Sequence, residues 1–144
     1  MNNGGFNMTT YKNFKIVAKL QGAEINKAWN DNEPRNKYFV YVTNTENGEK
    51  THFTFWDSLD NTRRGVVLDG DDLLNAFYCF VSDALSGSEN FSDFCGEFGY
   101  DEDSRSAERI YNACKRSYES FVRVSGLPYD EIFDFANELL EIAG

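Results

Sequence analysis

The chain has 144 residues, 41% of them apolar and 16% aromatic, and a formal net charge of −10. This length suits one domain with one sizeable core, and the aromatic content excludes a disordered polymer despite the charge. The acidic balance excludes attraction to DNA phosphates or anionic membranes through net charge and favours partners with basic surfaces.

Residues 1–11, MNNGGFNMTTY, are polar and Gly-rich and read as a flexible leader. Phe14, Ile16, Ala18 and Leu20 then alternate with Lys15, Val17 and Lys19. This is the period of a strand with one buried face, and it can run on to Ile25. Residues 26–36 are rich in turn formers and hold Pro34, so they read as a loop. The segment 37–43, KYFVYVT, is β-branched and aromatic on both faces, as suits a central strand. Asn47 and Gly48 offer two positive-φ positions for a tight primed turn. In the third strand, 50–56, Thr51, Phe53 and Phe55 point one way and His52, Thr54 and Trp56 the other. Within 57–70, the run Gly65-Val66-Val67-Leu68 is either a short strand or a buried loop.

From Asp71 the period becomes helical. Leu74, Phe77, Tyr78, Val81 and Leu85 form an apolar stripe, capped by Asp69 or Asp71 and ended by Gly87. Phe91, Phe94, Cys95 and Phe98 mark a short second helix that stops at Gly99. A third helix begins after Asp101 or Asp103, with Ala107, Ile110, Tyr111, Cys114, Tyr118, Phe121 and Val122 on its apolar face and Gly126 at its end. Pro128 suits the first turn of a fourth, which turns Ile132, Phe135, Ala136 and Leu139 inward. The expected fold class is α+β: an N-terminal three-stranded antiparallel meander packed against a C-terminal group of three to four helices. One domain is expected over 12–144, β-rich over 12–68, helical and acidic over 69–144.

Charge divides the chain at the same place. Residues 1–68 hold nine Lys+Arg and seven Asp+Glu; residues 69–144 hold five and seventeen. An EF-hand loop from Asp101 would need an oxygen ligand at its fifth position, Gly at its sixth and Glu at its twelfth. The chain has Arg105, Ser106 and Asn112 there, and the cluster at Asp69-Gly70-Asp71-Asp72 fails in the same way. Helix capping is the structural reading of both clusters. Cys79, Cys95 and Cys114 cannot all pair, no CxxC occurs, and His52 is the only histidine. These counts speak against zinc and for a reducing cytosol, and the cysteines fall on apolar helix faces, away from a Cys–His pairing. No phosphate-binding loop, signal peptide or membrane-length apolar run is present. The expectation is a non-enzymatic protein without cofactor or metal. Arg63 and Arg64 near Trp56 are a thin nucleic-acid footprint against a charge of −10, so no direct nucleic-acid binding is expected.

The functional reading of the acidic half is a set of spaced carboxylates that imitates a phosphate backbone and occupies a basic nucleic-acid-binding surface on a protein partner. Asp69, Asp71, Asp72, Asp83, Asp93, Glu97, Asp101, Glu102 and Asp103, with Glu89, lie within 35 residues and are its candidates.

One stretch carries a resemblance. Ser82-Asp83-Ala84, then FSDFC at 91–95, Glu97-Phe98-Gly99-Tyr100-Asp101, Asp103-Ser104-Arg105, Ala107, Tyr111 and Cys114 resemble the C-terminal half of a group of small phage and prophage accessory proteins. The motif covers under a third of the chain strictly and names no activity; residues 128–143 are an addition to the pattern. The resemblance implies a β-rich N-terminal half, a mobile-element origin and action in a bacterial host cytoplasm. Small acidic proteins of this kind are often inhibitors of host defence, anti-CRISPR proteins among them, which makes a CRISPR effector complex the expected partner. The alternative is a phage structural or accessory protein, with homodimerisation through exposed aromatics of the sheet.

Overall fold

A computed structural model describes residues 7–26, 32–57 and 68–143. The architecture is α+β: the described residues form a four-stranded antiparallel sheet in the order β1-β2-β3-β4 followed by four helices. The strands are β1 (Met8–Tyr11), β2 (Phe14–Ile25), β3 (Pro34–Asn44) and β4 (Lys50–Asp57). The helices are α1 (Gly70–Ser86), α2 (Phe91–Phe98), α3 (Arg105–Ser125) and α4 (Tyr129–Ala143). Two compact units result, Met1–Ala76 and Phe77–Gly144, and the boundary falls within α1.

In the first unit, the expected three strands become four because the end of the leader pairs with β2, in the register Met8↔Val17 to Tyr11↔Phe14. The two-residue loop between them, Lys12-Asn13, has no glycine, and Lys12 takes φ 54°. A positive φ at lysine is uncommon and leaves no turn signal in the sequence. The loop is held from outside: Asn13 Nδ2 donates to Asn44 Oδ1 at 2.7 Å, and the Thr45 N–H donates to the Asn13 carbonyl at 2.9 Å. The second hairpin also departs from expectation. Among its described turn residues only Gly48 is left-handed, at φ 74°, and its N–H donates to the Asn44 carbonyl. The loop is therefore longer than the two-residue primed turn that Asn47-Gly48 suggests.

β3 begins at Pro34, three residues before the expected start. Proline is tolerated at the first position of a strand, and β3 otherwise holds the central place its two-sided apolar pattern predicts. Its even positions from Asn36 to Asn44 are all buried. With Phe14, Ile16 and Ala18 they form the inner face of the sheet. Leu20 departs from the alternation and is 42% exposed, next to the register shift between Leu20 and Gly22. A bulge there uncouples the rest of β2 from the strict period of two. Leu68, Leu73 and Ala76 are buried within the same unit, and Gly70 stands against Thr9 of the inner face. Burial, then the charges of Asp57 and Asp72, push the Tyr38 phenol up to about 12.

Phe77, Phe80, Phe121 and Phe135 form the aromatic centre of the second unit, with ring centroids 5.7–6.1 Å apart. Edge-on and tilted pairs of this kind contribute about 0.5–1.5 kcal/mol each beyond their burial. The buried face of α1 is Leu73, Ala76, Phe77, Phe80, Val81 and Ala84. It is rotated by about one position from the expected stripe, leaving Leu74, Tyr78 and Leu85 half-buried, because small alanines rather than large residues complete it. α4 buries Ile132, Phe135, Ala136 and Leu139, as its period predicts; Pro128 stands just before its first residue, and its carbonyl accepts from the Ile132 N–H. Two expected core positions are outside: Phe98 is 48% and Ile110 42% exposed. The leader residues 1–6, the loop residues 27–31, the Arg63-Arg64 pair and the run 65–67 lie outside the described residues.

Gly87 is buried, and a Cβ placed on it lands on the Cys114 carbonyl and the Lys115 nitrogen. The obstacle is backbone, which cannot swing aside as a side chain can. Gly87→Ala is therefore expected to destabilise the second unit by about 3 kcal/mol, at the upper end for overpacking. Urea denaturation followed by circular dichroism measures this; a midpoint equal to that of the unmodified chain would contradict the close approach.

Candidate interaction surfaces

The nine predicted carboxylates divide between the units. Asp69, Asp71 and Asp72 stand at the start of α1 in the first. Asp69 Oδ1 accepts from the Asp72 N–H at 2.8 Å, and the Asp72 carboxylate accepts from the Asp69 N–H at 3.3 Å. This reciprocal pair is a capping box with aspartate in both places. Burial and the charges of Asp69 and Asp57 push the Asp72 carboxyl above its ordinary range, against the opposing hydrogen bond with the Asp69 backbone.

The other six lie in the second unit. Asp93 sits in the first turn of α2, where Asn90 caps the helix by accepting from the Asp93 N–H at 2.8 Å. Asp101 Oδ1 accepts from the Asp103 N–H at 3.0 Å, and the Asp101 carbonyl accepts from the Ser104 N–H at 2.9 Å. The cap of α3 is Ser104 itself, whose hydroxyl accepts from the Ala107 N–H at 3.2 Å. Capping and turn-holding thus account for Asp69, Asp72, Asp93 and Asp101.

They do not account for Asp83 or Glu97. Both stand in the last turn of their helices, and neither α1 nor α2 has a basic residue there. A negative charge at a helix C-terminus opposes the macrodipole. Asp83 keeps part of its surface in solvent, yet burial pushes its carboxyl above the ordinary range. Glu97 is exposed and close to Glu89, whose carboxyl is raised by burial, by a hydrogen bond shared with Glu97, and by the charges of Glu97 and Asp93.

Rings accompany these carboxylates. Phe94, Cys95 and Ala107 form a buried cluster against which Phe91, Tyr111 and Cys114 pack. Phe98 and Tyr100 stack 21° from parallel with centroids 5.9 Å apart, and they remain 48% and 39% exposed. Glu97 and Asp101 flank this pair in sequence. The C-cap glycine, Gly99, at φ 72°, places Phe98 and Tyr100 side by side. The period-based reading sends Phe98 inward and misses the pair.

All three cysteines are free. Burial first, then Asp83 for Cys79 and Cys114, and Glu102 and Asp101 for Cys95, push the thiols up. Each favours the protonated form, the opposite of what a nucleophilic cysteine needs. Among the described residues no group of three or more His, Cys, Asp or Glu stands close enough to hold a metal ion, and no helix is long and apolar enough to cross a membrane.

The outer face of the sheet is the second surface, and sequence reading did not assemble it. Lys15, Val17 and Lys19 of β2 share it with Arg35, Lys37, Phe39, Tyr41 and Thr43 of β3 and Lys50, His52, Thr54 and Trp56 of β4. The register aligns Val17, Tyr41 and His52 in one row and Lys19, Phe39 and Thr54 in the next. The Tyr41 and His52 rings stand 6.0 Å apart, and the Lys37 ammonium lies 5.7 Å from the Phe39 ring and 5.6 Å from that of Trp56. Lys37 also reaches Glu24, at 3.8 Å. Only the strand pairing brings these residues together.

Comparison with protein-family models, with curated proteins and with solved structures finds no match. The class defined by the fold is an α+β protein, with a four-stranded antiparallel sheet and four helices among the described residues.

The raised carboxyls fix the sign of a pH effect. Asp72, Asp83 and Glu89 hold their protons more tightly in the folded chain than in the unfolded one. Between the ordinary values, 3.8 for Asp and 4.5 for Glu, and the higher folded values, the folded state binds more protons. Stability from these groups therefore rises as pH falls from neutral into that window. Thermal melts at stepped pH should show this gain, and Glu89→Gln should reduce it. A Glu89→Gln profile that parallels the unmodified one would remove Glu89 as a source.

Proposed function

We propose that this chain is a non-enzymatic inhibitor of bacterial defence, carried by a mobile element and acting in the host cytoplasm. Its target on this reading is a CRISPR effector complex, whose basic DNA-binding surface it occupies so that DNA cannot bind. The mobile-element origin rests on the resemblance of the 72–114 stretch. The mechanism rests on charge and geometry.

The observation that carries the reading is the stacked Phe98–Tyr100 pair beside Glu97 and Asp101. Basic nucleic-acid-binding surfaces are rich in arginine and lysine, and a guanidinium is satisfied by a carboxylate at its edge and a ring at its face. Interface hot spots are typically aromatic anchors ringed by polar groups. Carboxylates alone also serve solubility, but exposed rings beside them do not. Glu97 adds weight because its place in the last turn of α2 opposes the helix dipole. A residue that costs local stability there needs a reason outside the helix.

Two substitutions separate these effects. Glu97→Gln is expected to stabilise the chain by about 0.5 kcal/mol through the relieved dipole and to weaken inhibition. Phe98→Ala, at an exposed position, is expected to lower affinity for the target about tenfold or more, as loss of an aromatic hot spot does. Inhibition of effector–DNA binding should be stoichiometric and should fade as salt rises to about 0.5 M. Inhibition that survives both substitutions and high salt would overturn the acidic-surface mechanism, and absence of inhibition across CRISPR effector types would overturn the assigned role.

A further inference from the structure

We propose that the outer face of the sheet binds single-stranded nucleic acid, its exposed rings stacking on bases and its lysines holding the phosphates. This inference stands apart from the acidic-surface reading and uses none of its residues.

Charge supplies the first argument. The outward strand positions carry five cations, Lys15, Lys19, Arg35, Lys37 and Lys50, against one carboxylate, Glu24. This is a local excess of positive charge in a chain of net −10. At physiological salt a ligand seated on this face feels mainly the charges within about 8 Å of it, and those on its strands are predominantly positive. The expectation of no nucleic-acid contact follows from the chain average and overlooks this segregation.

The rings supply the second. Tyr41 and His52 are exposed neighbours on adjacent strands, and Phe39, half-buried, lies two residues along β3 from Tyr41. Same-face neighbours along a strand are about 7 Å apart, a span that one nucleotide of an unstacked strand covers. Stacking platforms of this type accept any base because every base has a π-face. A duplex keeps its bases paired and stacked, so an open sheet reaches them only in a single strand. A protein occupant is disfavoured by the lysines, a residue type depleted in protein–protein interfaces.

The test is fluorescence anisotropy of a labelled oligothymidylate of about 20 nucleotides, longer than the usual site of one small module. Binding is expected at low salt, with a log–log salt slope of about −2 to −3, the value for three or four neutralised phosphates on a single strand. Lys15→Glu with Lys19→Glu should cut affinity at least tenfold and flatten that slope. Tyr41→Ala should lower affinity about fivefold with the slope unchanged, a split that separates stacking from charge. All three are exposed, and circular dichroism checks that the variants fold. Glu97→Gln should leave this binding unchanged. Absence of binding up to about 100 μM protein, the weak end of non-specific affinity, would overturn the proposal. Affinity indifferent to the lysine and tyrosine substitutions would do the same. So would a chain that dimerises in sedimentation equilibrium and becomes monomeric on Tyr41→Ala, which would make the face an interface between copies.

Discussion

The approach of Gly87 to the peptide between Cys114 and Lys115 governs the helical unit. Backbone faces backbone there with no room for a side chain, so the end of α1 is held directly against the middle of α3. Everything between the two contacts must form a compact excursion. α2 supplies it, entered through the Asn90 cap and left through the left-handed Gly99. The Tyr111 hydroxyl ties the excursion down by donating to the Glu89 carbonyl at 2.5 Å. Phe94 and Cys95 fill the space beneath. The consequence for the surface is direct: Phe98 and Tyr100 flank the cap glycine, and their rings stay at the rim because the space beneath is already occupied.

Charge is segregated as sharply as secondary structure. The sheet's outer face is cationic along its strands, whereas the unit from Phe77 onward holds fourteen acids and five bases. A uniform sprinkling would serve solubility equally well. Segregation instead gives each region its own sign. An average over the chain hides both. The net charge of −10 describes neither surface, since nearly all of it belongs to the unit from Phe77 onward and the sheet's outer face has the opposite sign.

How much was legible follows from how local each signal is. β3 and α4 were readable because each carries its signal locally: an unbroken β-branched and aromatic run in one, and spacings of three, one and three in the other. The face of α1 came out rotated because Ala76 and Ala84 complete its buried stripe, and alanine weighs little in a hydrophobic count. β1 was missed because Met8 to Tyr11 has no apolar alternation and its turn has no glycine; it forms because β2 offers an edge and the Asn13–Asn44 contact holds the loop. The acidic candidates were found as residues, but sequence could not divide them between the two units. The basic aromatic face was illegible, since its members come from strands whose register no local pattern encodes.

Capping is a sufficient explanation for many of the carboxylates, and it must be subtracted before any is given a partner. Asp69, Asp72 and Asp101 accept from backbone N–H groups, and Asp93 accepts from the side-chain amide of the cap residue Asn90 in the first turn of its helix, so each would be worth its place in a protein that bound nothing. The local argument fails at Asp83 and Glu97, which stand where the helix dipole disfavours them, and at Glu89, whose carboxyl is crowded by Glu97 and Asp93. Crowded carboxylates tighten their hold on protons because the fold keeps like charges closer than they would choose. A basic ligand relieves that repulsion on arrival, so part of its binding energy is strain already present in the free protein. Of the acids in the helical unit, those with unfavourable local electrostatics gain most from a cation, and Glu97 is the one that stands beside an exposed aromatic pair.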